Sequence, residues 1–137
     1  MKKIALALLV FCLACKFKAK EAPVSVELIN NGQSVKFTGL DPGISGEIGR
    51  DSVPDIWQSL LPVYRLPADT DLKDFQQPQP GRYKLLDKAV VFTPDTPFVK
   101  GRAYYIRYYH FDEGKSVWDI VKNKRQMGSQ PFTDLSF

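Results

Sequence analysis

The 137-residue sequence has few of the side chains from which catalytic and metal sites are commonly built. It contains one histidine, His110, so neither a three-histidine metal site nor a pair of imidazole acid and base groups can form within one chain. Its two cysteines, Cys12 and Cys15, lie together near the start, so no disulfide framework holds the fold. Glycine and proline are not abundant enough for a collagen-like or disordered chain. We therefore expect one domain that is not an enzyme and binds no cofactor or metal, with His110 as an ordinary residue at a strand end.

The sequence also lacks an apolar run long enough to cross a membrane as a helix, which takes roughly 20 residues. Its first apolar run, residues 4–13, follows two lysines and ends in small residues before Cys15. A positive start, a short apolar segment and small residues at its end are the layout of an export signal peptide. We therefore expect the chain to be exported.

The end of that run, Cys12-Leu13-Ala14-Cys15, resembles the lipobox of bacterial lipoproteins, in which the peptide is cut before a cysteine whose thiol is acylated. The resemblance implies a signal peptide over residues 1–14 and an acylated Cys15 that anchors the protein in a lipid bilayer. The alternative is an ordinary secretory cleavage after Ala14, because Cys12 and Ala14 are both small.

Processing would leave a nearly neutral protein on a short tether. Removing residues 1–14 lowers Lys plus Arg from 19 to 17 against 15 Asp plus Glu, so the net charge falls from +4 to +2. This small excess gives no reason to expect a nucleic-acid partner. Residues 15–22 are polar and are predicted to be a tether. Lys16 replaces the aspartate by which some bacteria retain lipoproteins in the inner membrane, which favours the outer membrane.

From residue 23 onward the apolar residues alternate with a period of two, which is typical of half-buried strands. Asn30-Asn31-Gly32 separates the first two strands and predicts a tight hairpin turn, because Asn and Gly tolerate positive φ. Ten prolines argue against long helices. The predicted strands lie near residues 24–28, 35–37, 61–66, 81–86, 89–93, 103–111 and 116–122, with a hairpin at 112–114 and a closing strand within 126–137.

Two segments between the predicted strands, residues 53–61 and 41–50, do not show the alternation of a regular strand. Residues 53–61 can form one or two helical turns, with Ser52 as the cap and Pro54 at the first position. The glycine-rich residues 41–50 are expected to form a mobile loop or a bulged strand edge. About seven short strands and little helix predict an all-β, immunoglobulin-like β-sandwich over residues 23–137.

Residues 90–107, VVFTPDTPFVKGRAYYIR, resemble a segment of bacterial Ig-like and fibronectin type III-like domains, including the S-layer-type Ig-like modules. In these domains a strand ending in Phe-x-Pro leads through an apolar residue and a glycine to Tyr-x-hydrophobic. The matching residues here are Phe92, Pro94, Phe98, Gly101, Tyr104 and Ile106. The resemblance implies that Phe98 plugs the end of the sandwich and Gly101 permits the corner. It further implies that Tyr104 is buried, with its hydroxyl hydrogen-bonded to nearby backbone.

The strand over residues 103–111 has the highest density of aromatic side chains. Alternation directs Tyr104, Ile106 and Tyr108 to the core. The opposite face carries Tyr105, Arg107, Tyr109 and Phe111. One interpretation of that face is an exposed platform that binds a partner protein or sugar rings through Tyr105, Arg107 and Tyr109. The other interpretation is a central strand whose outer aromatics are covered by the long loop or by neighbouring side chains.

That long loop, residues 66–81, lacks strand character and contains Asp69, Asp71 and Asp74. Three carboxylates at this spacing could surround a calcium ion, although the spacing departs from that of an EF-hand. A solvated, proline-stiffened loop is the alternative. As an exposed insertion, residues 69–79 are a second candidate for recognition.

These observations predict a non-catalytic lipoprotein of the cell envelope with an Ig-like module. We expect the module to bind a protein partner or to assemble at the envelope surface. The alternative is a carbohydrate-binding or adhesion module that uses the exposed aromatic strand face.

Overall fold

A computed structural model describes residues 23–50, 54–110 and 131–137. In this part the chain is mostly β, with seven strands in two antiparallel sheets. The strands are β1 (Ser25–Ile29), β2 (Ser34–Thr38), β3 (Val63–Arg65), β4 (Gly81–Leu86), β5 (Ala89–Pro94), β6 (Tyr104–Tyr109) and β7 (Phe132–Ser136). Two short α-helices, α1 (Pro42–Arg50) and α2 (Pro54–Leu60), and a 3₁₀ helix (Thr70–Phe75) connect them. The first sheet has the order β1-β2-β5-β4 and the second the order β3-β6-β7.

Turn residues set the two hairpins of the first sheet. Asn30, Asn31 and Gly32 have φ angles of 54°, 57° and 77°, and the turn closes with the Gly32 N–H donating to the Ile29 carbonyl at 3.1 Å. This confirms the hairpin turn predicted from the Asn-Asn-Gly sequence. The second hairpin joins β4 to β5 through Asp87, whose φ is 49°. The predicted strand bounds at 81–86 are those observed.

The core lies between the two sheets and takes one side chain in two from each strand. Phe37 of the first sheet and Tyr108 of the second bring their ring centroids to 5.3 Å. Because successive strand residues point to opposite faces, the alternation read from the sequence correctly assigns the inward residues of β2 and β6. The buried core includes Val35, Phe37, Leu40, Ile44, Ile56, Trp57, Leu60, Leu61, Val63, Val90, Phe92, Ile106 and Tyr108.

One end of the sandwich is closed by the corner between β5 and β6. The Tyr104 ring is buried, and its hydroxyl accepts a hydrogen bond from the Val99 N–H at 2.9 Å. The Phe98 ring lies 4.7 Å from that of Tyr104 and 5.4 Å from that of Phe137. Gly101 has a φ of 79°, a backbone conformation that residues other than glycine rarely adopt. The placement expected for these residues is therefore confirmed.

The short helix predicted over 53–61 is present as α2, with Pro54 at its first position. The interpretation of residues 41–50 as a mobile loop or bulged edge is wrong, since they form α1. The Asp41 carboxylate accepts a hydrogen bond from the Gly43 N–H at 2.7 Å, and Ile44 is buried in the core. Capping by Asp41 and burial of Ile44 thus outweigh the low helix propensity of the glycines.

Residues 66–81 are not wholly irregular, because they contain the 3₁₀ helix Thr70–Phe75. The Asp69 carboxylate caps it by accepting a hydrogen bond from the Asp71 N–H at 3.0 Å. In the described ranges no helix has both the length and the apolar character needed to span a bilayer. Phe111 lies outside the described residues, and so do the predicted signal peptide, the predicted tether, the hairpin predicted at 112–114 and the strand predicted at 116–122.

Candidate functional site

The outer face of the second sheet gathers aromatic and charged side chains from three strands. The register places Tyr64 beside Tyr105, Arg107 beside Asp134, and Tyr109 beside Phe132. All six lie on the outer face, because the residues that alternate with them along the strands pack inward, among them Val63, Tyr104, Ile106, Tyr108 and Leu135. The site is therefore built by pairing β3 and β7 against the central strand β6.

A two-bond ion pair lies at the centre of this face. Arg107 Nε donates to Asp134 Oδ1 at 2.8 Å, and Nη2 donates to Oδ2 at 3.0 Å. The hydrogen bonds to Asp134 raise the pKa of Arg107 above its ordinary value. Burial acts to raise the pKa of Asp134, but the hydrogen bonds from Arg107 and Lys73 outweigh it and lower that pKa below its ordinary 3.8. Both side chains are therefore ionised at neutral pH.

The 3₁₀ helix adds one charge of each sign to this pair. Lys73 Nζ lies 2.7 Å from Asp134 Oδ2, and Arg107 Nη2 donates to Asp74 Oδ1 at 2.8 Å. We call Lys73, Asp74, Arg107 and Asp134 the Arg107 cluster. Its two cations balance its two carboxylates, which offsets much of the cost of burying Arg107 and Asp134.

Aromatic rings surround the Arg107 cluster. The rings of Tyr64 and Tyr105 stack with centroids 5.2 Å apart, and Lys73 Nζ lies 4.6 Å from the Tyr105 centroid. The Arg107 guanidinium carbon lies 3.9 Å from the centroid of Phe132, a cation–π geometry. Burial raises the pKa of Tyr64 to about 12, so its hydroxyl stays protonated.

The 3₁₀ helix is held to the sheet by polar contacts and presents apolar side chains to solvent. The Tyr105 hydroxyl donates to the Lys73 carbonyl at 2.9 Å, and none of the helix residues is buried. Phe75 is 78% exposed and Leu72 is 49% exposed. Residues three apart lie on the same side of a 3₁₀ helix, so these two side chains form one exposed apolar pair.

The interpretation of this sheet face as an exposed platform is wrong for two of its three proposed residues. Tyr105 is 0% exposed and Arg107 is 8% exposed. Both are covered by the 3₁₀ helix, as the alternative interpretation had it. Tyr109 is half-buried, with its ring edge-on to Phe132 at 6.0 Å. A flat ligand cannot stack on Tyr105 while the 3₁₀ helix stays in place.

The three aspartates of the long loop have separate surroundings. Asp69 caps the 3₁₀ helix and Asp74 pairs with Arg107. The Asp71 carboxylate has no hydrogen-bond or ion-pair partner in the described part of the chain. No three His, Cys, Asp or Glu side chains of the described residues group as a metal ion requires. The three aspartates therefore do not form the calcium site considered from their spacing.

Several residues of the site were missed from sequence. Asp134 could have been found, because it alternates with inward-facing apolar residues in the last strand and so had to share a face with Phe132. Lys73 carried no such signal, because the fold of the long loop decides its position. The apolar pair Leu72 and Phe75 stands out in an otherwise polar loop, which was a usable sign of an exposed surface.

The chain matches no protein-family model, no curated protein and no solved structure. Cys15, the expected lipidation site, lies outside the described residues.

Proposed function

We propose that the chain is an exported, lipid-anchored, non-catalytic protein of the bacterial cell envelope, whose Ig-like domain binds a protein partner. Support for the Ig-like assignment comes from the strand order. Constant-type Ig domains place their first, second, fifth and fourth strands in one sheet and their third, sixth and seventh in the other. The described strands have this order. The hydrogen bond between Tyr104 and the backbone five residues upstream also matches the tyrosine corner of such domains.

The observation that carries the binding proposal is the exposure of Phe75. A phenylalanine that is 78% exposed keeps most of its apolar surface in water after folding, so it contributes little to the stability of the domain. Leu72 lies on the same side of the 3₁₀ helix, and Phe132 is a further exposed large hydrophobic residue on β7. Aromatic side chains of this kind are frequent energetic centres of protein interfaces.

The Arg107 cluster gives this apolar pair a fixed position. Lys73, which stands between Leu72 and Phe75 in the chain, is tied to β7 by an ion pair of 2.7 Å with Asp134, and its carbonyl accepts a hydrogen bond from the Tyr105 hydroxyl of β6 at 2.9 Å. A partner therefore meets side chains whose backbone is already ordered, which lowers the entropy lost on binding. In this proposal Asp134 and Tyr105 position the 3₁₀ helix through Lys73, and Phe75 makes the contact.

The anchor part of the proposal rests on the sequence. Acylation of Cys15 with more than one chain would supply the two or more lipid signals that stable membrane association requires, at about 0.8 kcal/mol per buried CH₂. The tether at residues 15–22 would then hold the domain at the membrane surface. The lysine at position 16 favours the outer membrane.

Photo-crosslinking in the intact envelope tests the binding proposal. The photoreactive residue p-benzoyl-phenylalanine would replace Phe75 in one variant and Leu86, an exposed residue at the end of β4, in another. We expect one envelope protein to be crosslinked from position 75 and not from position 86. If position 75 captures no protein, and the protein is instead retained on envelope polysaccharide, the carbohydrate-binding alternative replaces this proposal.

A further inference from the structure

The Arg107 guanidinium has five N–H donors, and the structure accounts for three of them. The Asp134 carboxylate accepts one hydrogen bond from Nε and one from Nη2. We call this pair of nitrogens, which lie along one side of the guanidinium, its side-on fork. The remaining N–H of Nη2 goes to Asp74. Nη1 donates to no acceptor in residues 23–50, 54–110 and 131–137. We call the two nitrogens at the tip of the guanidinium, Nη1 and Nη2, its end-on fork. Among the described residues only Asp74 accepts a hydrogen bond there, and it accepts from Nη2 alone.

Asp74 is a weak occupant of that end-on fork. It contributes a single oxygen to a single nitrogen, and its side chain is 70% exposed. Because the Asp74 carboxylate is solvated whether or not it is paired, it holds the guanidinium less firmly than the Asp134 carboxylate, whose side chain is 12% exposed. A carboxylate from another molecule could instead accept from both Nη1 and Nη2, which is the stronger, bidentate geometry.

The surroundings of the end-on fork favour a peptide over a sugar as the source of that carboxylate. The Phe132 ring packs on the guanidinium at 3.9 Å. Leu72 and Phe75 stand on either side of Asp74 in the chain and expose their side chains to solvent. Apolar side chains next to a charged group suit a segment that mixes acidic and apolar residues, as peptides do, better than a uniformly hydrated glycan.

We infer that Arg107 binds a carboxylate of an acidic, apolar-containing peptide segment of the partner, and that this carboxylate displaces Asp74 from Nη2. Asp74 then acts as an internal competitor that the partner must replace. Asp134 keeps the guanidinium in position throughout, because its bonds use the other fork. This inference rests on the proposed function and names the chemistry of the partner at the same surface.

The test uses the full chain purified in detergent and a fluorescein-labelled peptide of alternating Glu and Phe, with binding followed by fluorescence anisotropy. Asp74→Asn removes the competing carboxylate, and we expect it to bind this peptide about tenfold more tightly than wild type. Asp71→Asn is the matched control, since it removes the same charge from the same 3₁₀ helix but has no bond to Arg107. We expect the control to change the affinity by less than about twofold, because exposed charges are well screened.

Two results would overturn the inference. One is equal affinity of the Asp74→Asn and Asp71→Asn variants for the Glu-Phe peptide. The other is binding of polygalacturonate, but not of the peptide, by Asp74→Asn, which would make the ligand an acidic glycan. A melting curve checks that both variants are folded. Crosslinking of an envelope protein from position 75 does not depend on Asp74, so it can succeed while this inference fails.

Discussion

Arg107 and Asp134 face each other across β6 and β7 and share two hydrogen bonds of 2.8 and 3.0 Å on the outer side of the second sheet. The same aspartate binds Lys73, and the same arginine binds Asp74, so the pair joins the sheet to the 3₁₀ helix. The pair therefore has two effects. It stabilises the second sheet, and it holds the 3₁₀ helix that exposes Leu72 and Phe75.

Loss of the arginine should destabilise the domain strongly. Arg107→Met leaves Asp134 largely buried with Lys73 as its remaining cation, and we expect the free energy of unfolding to fall by about 3 kcal/mol. Arg65→Met is the matched control, because Arg65 is exposed at the end of β3 and has no ion pair among the described residues. We expect that control to change stability by less than about 0.5 kcal/mol. Urea denaturation followed by circular dichroism measures both, and equal losses would contradict the account.

The domain should lose stability in acid because of Asp134. Its pKa is lower in the folded chain than its ordinary 3.8, so its contribution is complete above that value and is lost as the pH falls through the folded-state pKa. Asp134→Asn removes this titration. We therefore expect the free energy of unfolding to fall less between pH 5 and pH 2 in Asp134→Asn than in wild type. An identical fall in the two proteins would show that the pair does not lower this pKa.

The hydroxyl of Tyr104, at the corner between β5 and β6, should contribute to the stability of the domain. Tyr104→Phe keeps the ring but leaves the part-buried Val99 N–H without its acceptor. We expect a loss of about 1–2 kcal/mol in the free energy of unfolding. Tyr109→Phe should cost much less, because the Tyr109 hydroxyl has no hydrogen-bond partner among the described residues. Thermal unfolding of the two variants makes the comparison, and a larger loss for Tyr109→Phe would count against the corner.

Lipid attachment should depend on one of the two cysteines. Cys15→Ser is expected to abolish incorporation of radiolabelled palmitate and to release the protein from the membrane fraction. Cys12→Ser should retain both, since the proposed acylation uses the thiol of Cys15. If Cys15→Ser is labelled and sediments with membranes as wild type does, the protein has no lipid anchor at this residue.

Alternation was enough to predict most of the β structure. The strand at 81–86, the hairpin around Asn30 and Gly32, and the inward direction of Tyr104 and Tyr108 all follow from local patterns. The helix α1 was missed because its stability comes from burying Ile44, which glycine propensities do not reveal. The outward residues of β6 were correctly placed on one face.

The covering of that face could not be predicted from the strand itself. Whether Tyr105 and Arg107 meet solvent depends on the path of residues 66–81, a segment without period or strong turn signal. The bond from Tyr105 to the Lys73 carbonyl spans 32 residues of sequence. Contacts of this range are decided by tertiary packing, and no local pattern in the long loop encodes them.

The most direct test of the account is the affinity of the envelope protein captured from position 75 for variants of this chain. Isothermal titration of that purified protein would compare wild type with Phe75→Ser and Leu86→Ser. We predict that Phe75→Ser weakens binding by at least about tenfold, as expected for an aromatic interface anchor, and that Leu86→Ser leaves it unchanged. Equal affinities of Phe75→Ser and wild type would contradict the claim that the 3₁₀ helix presents the binding surface.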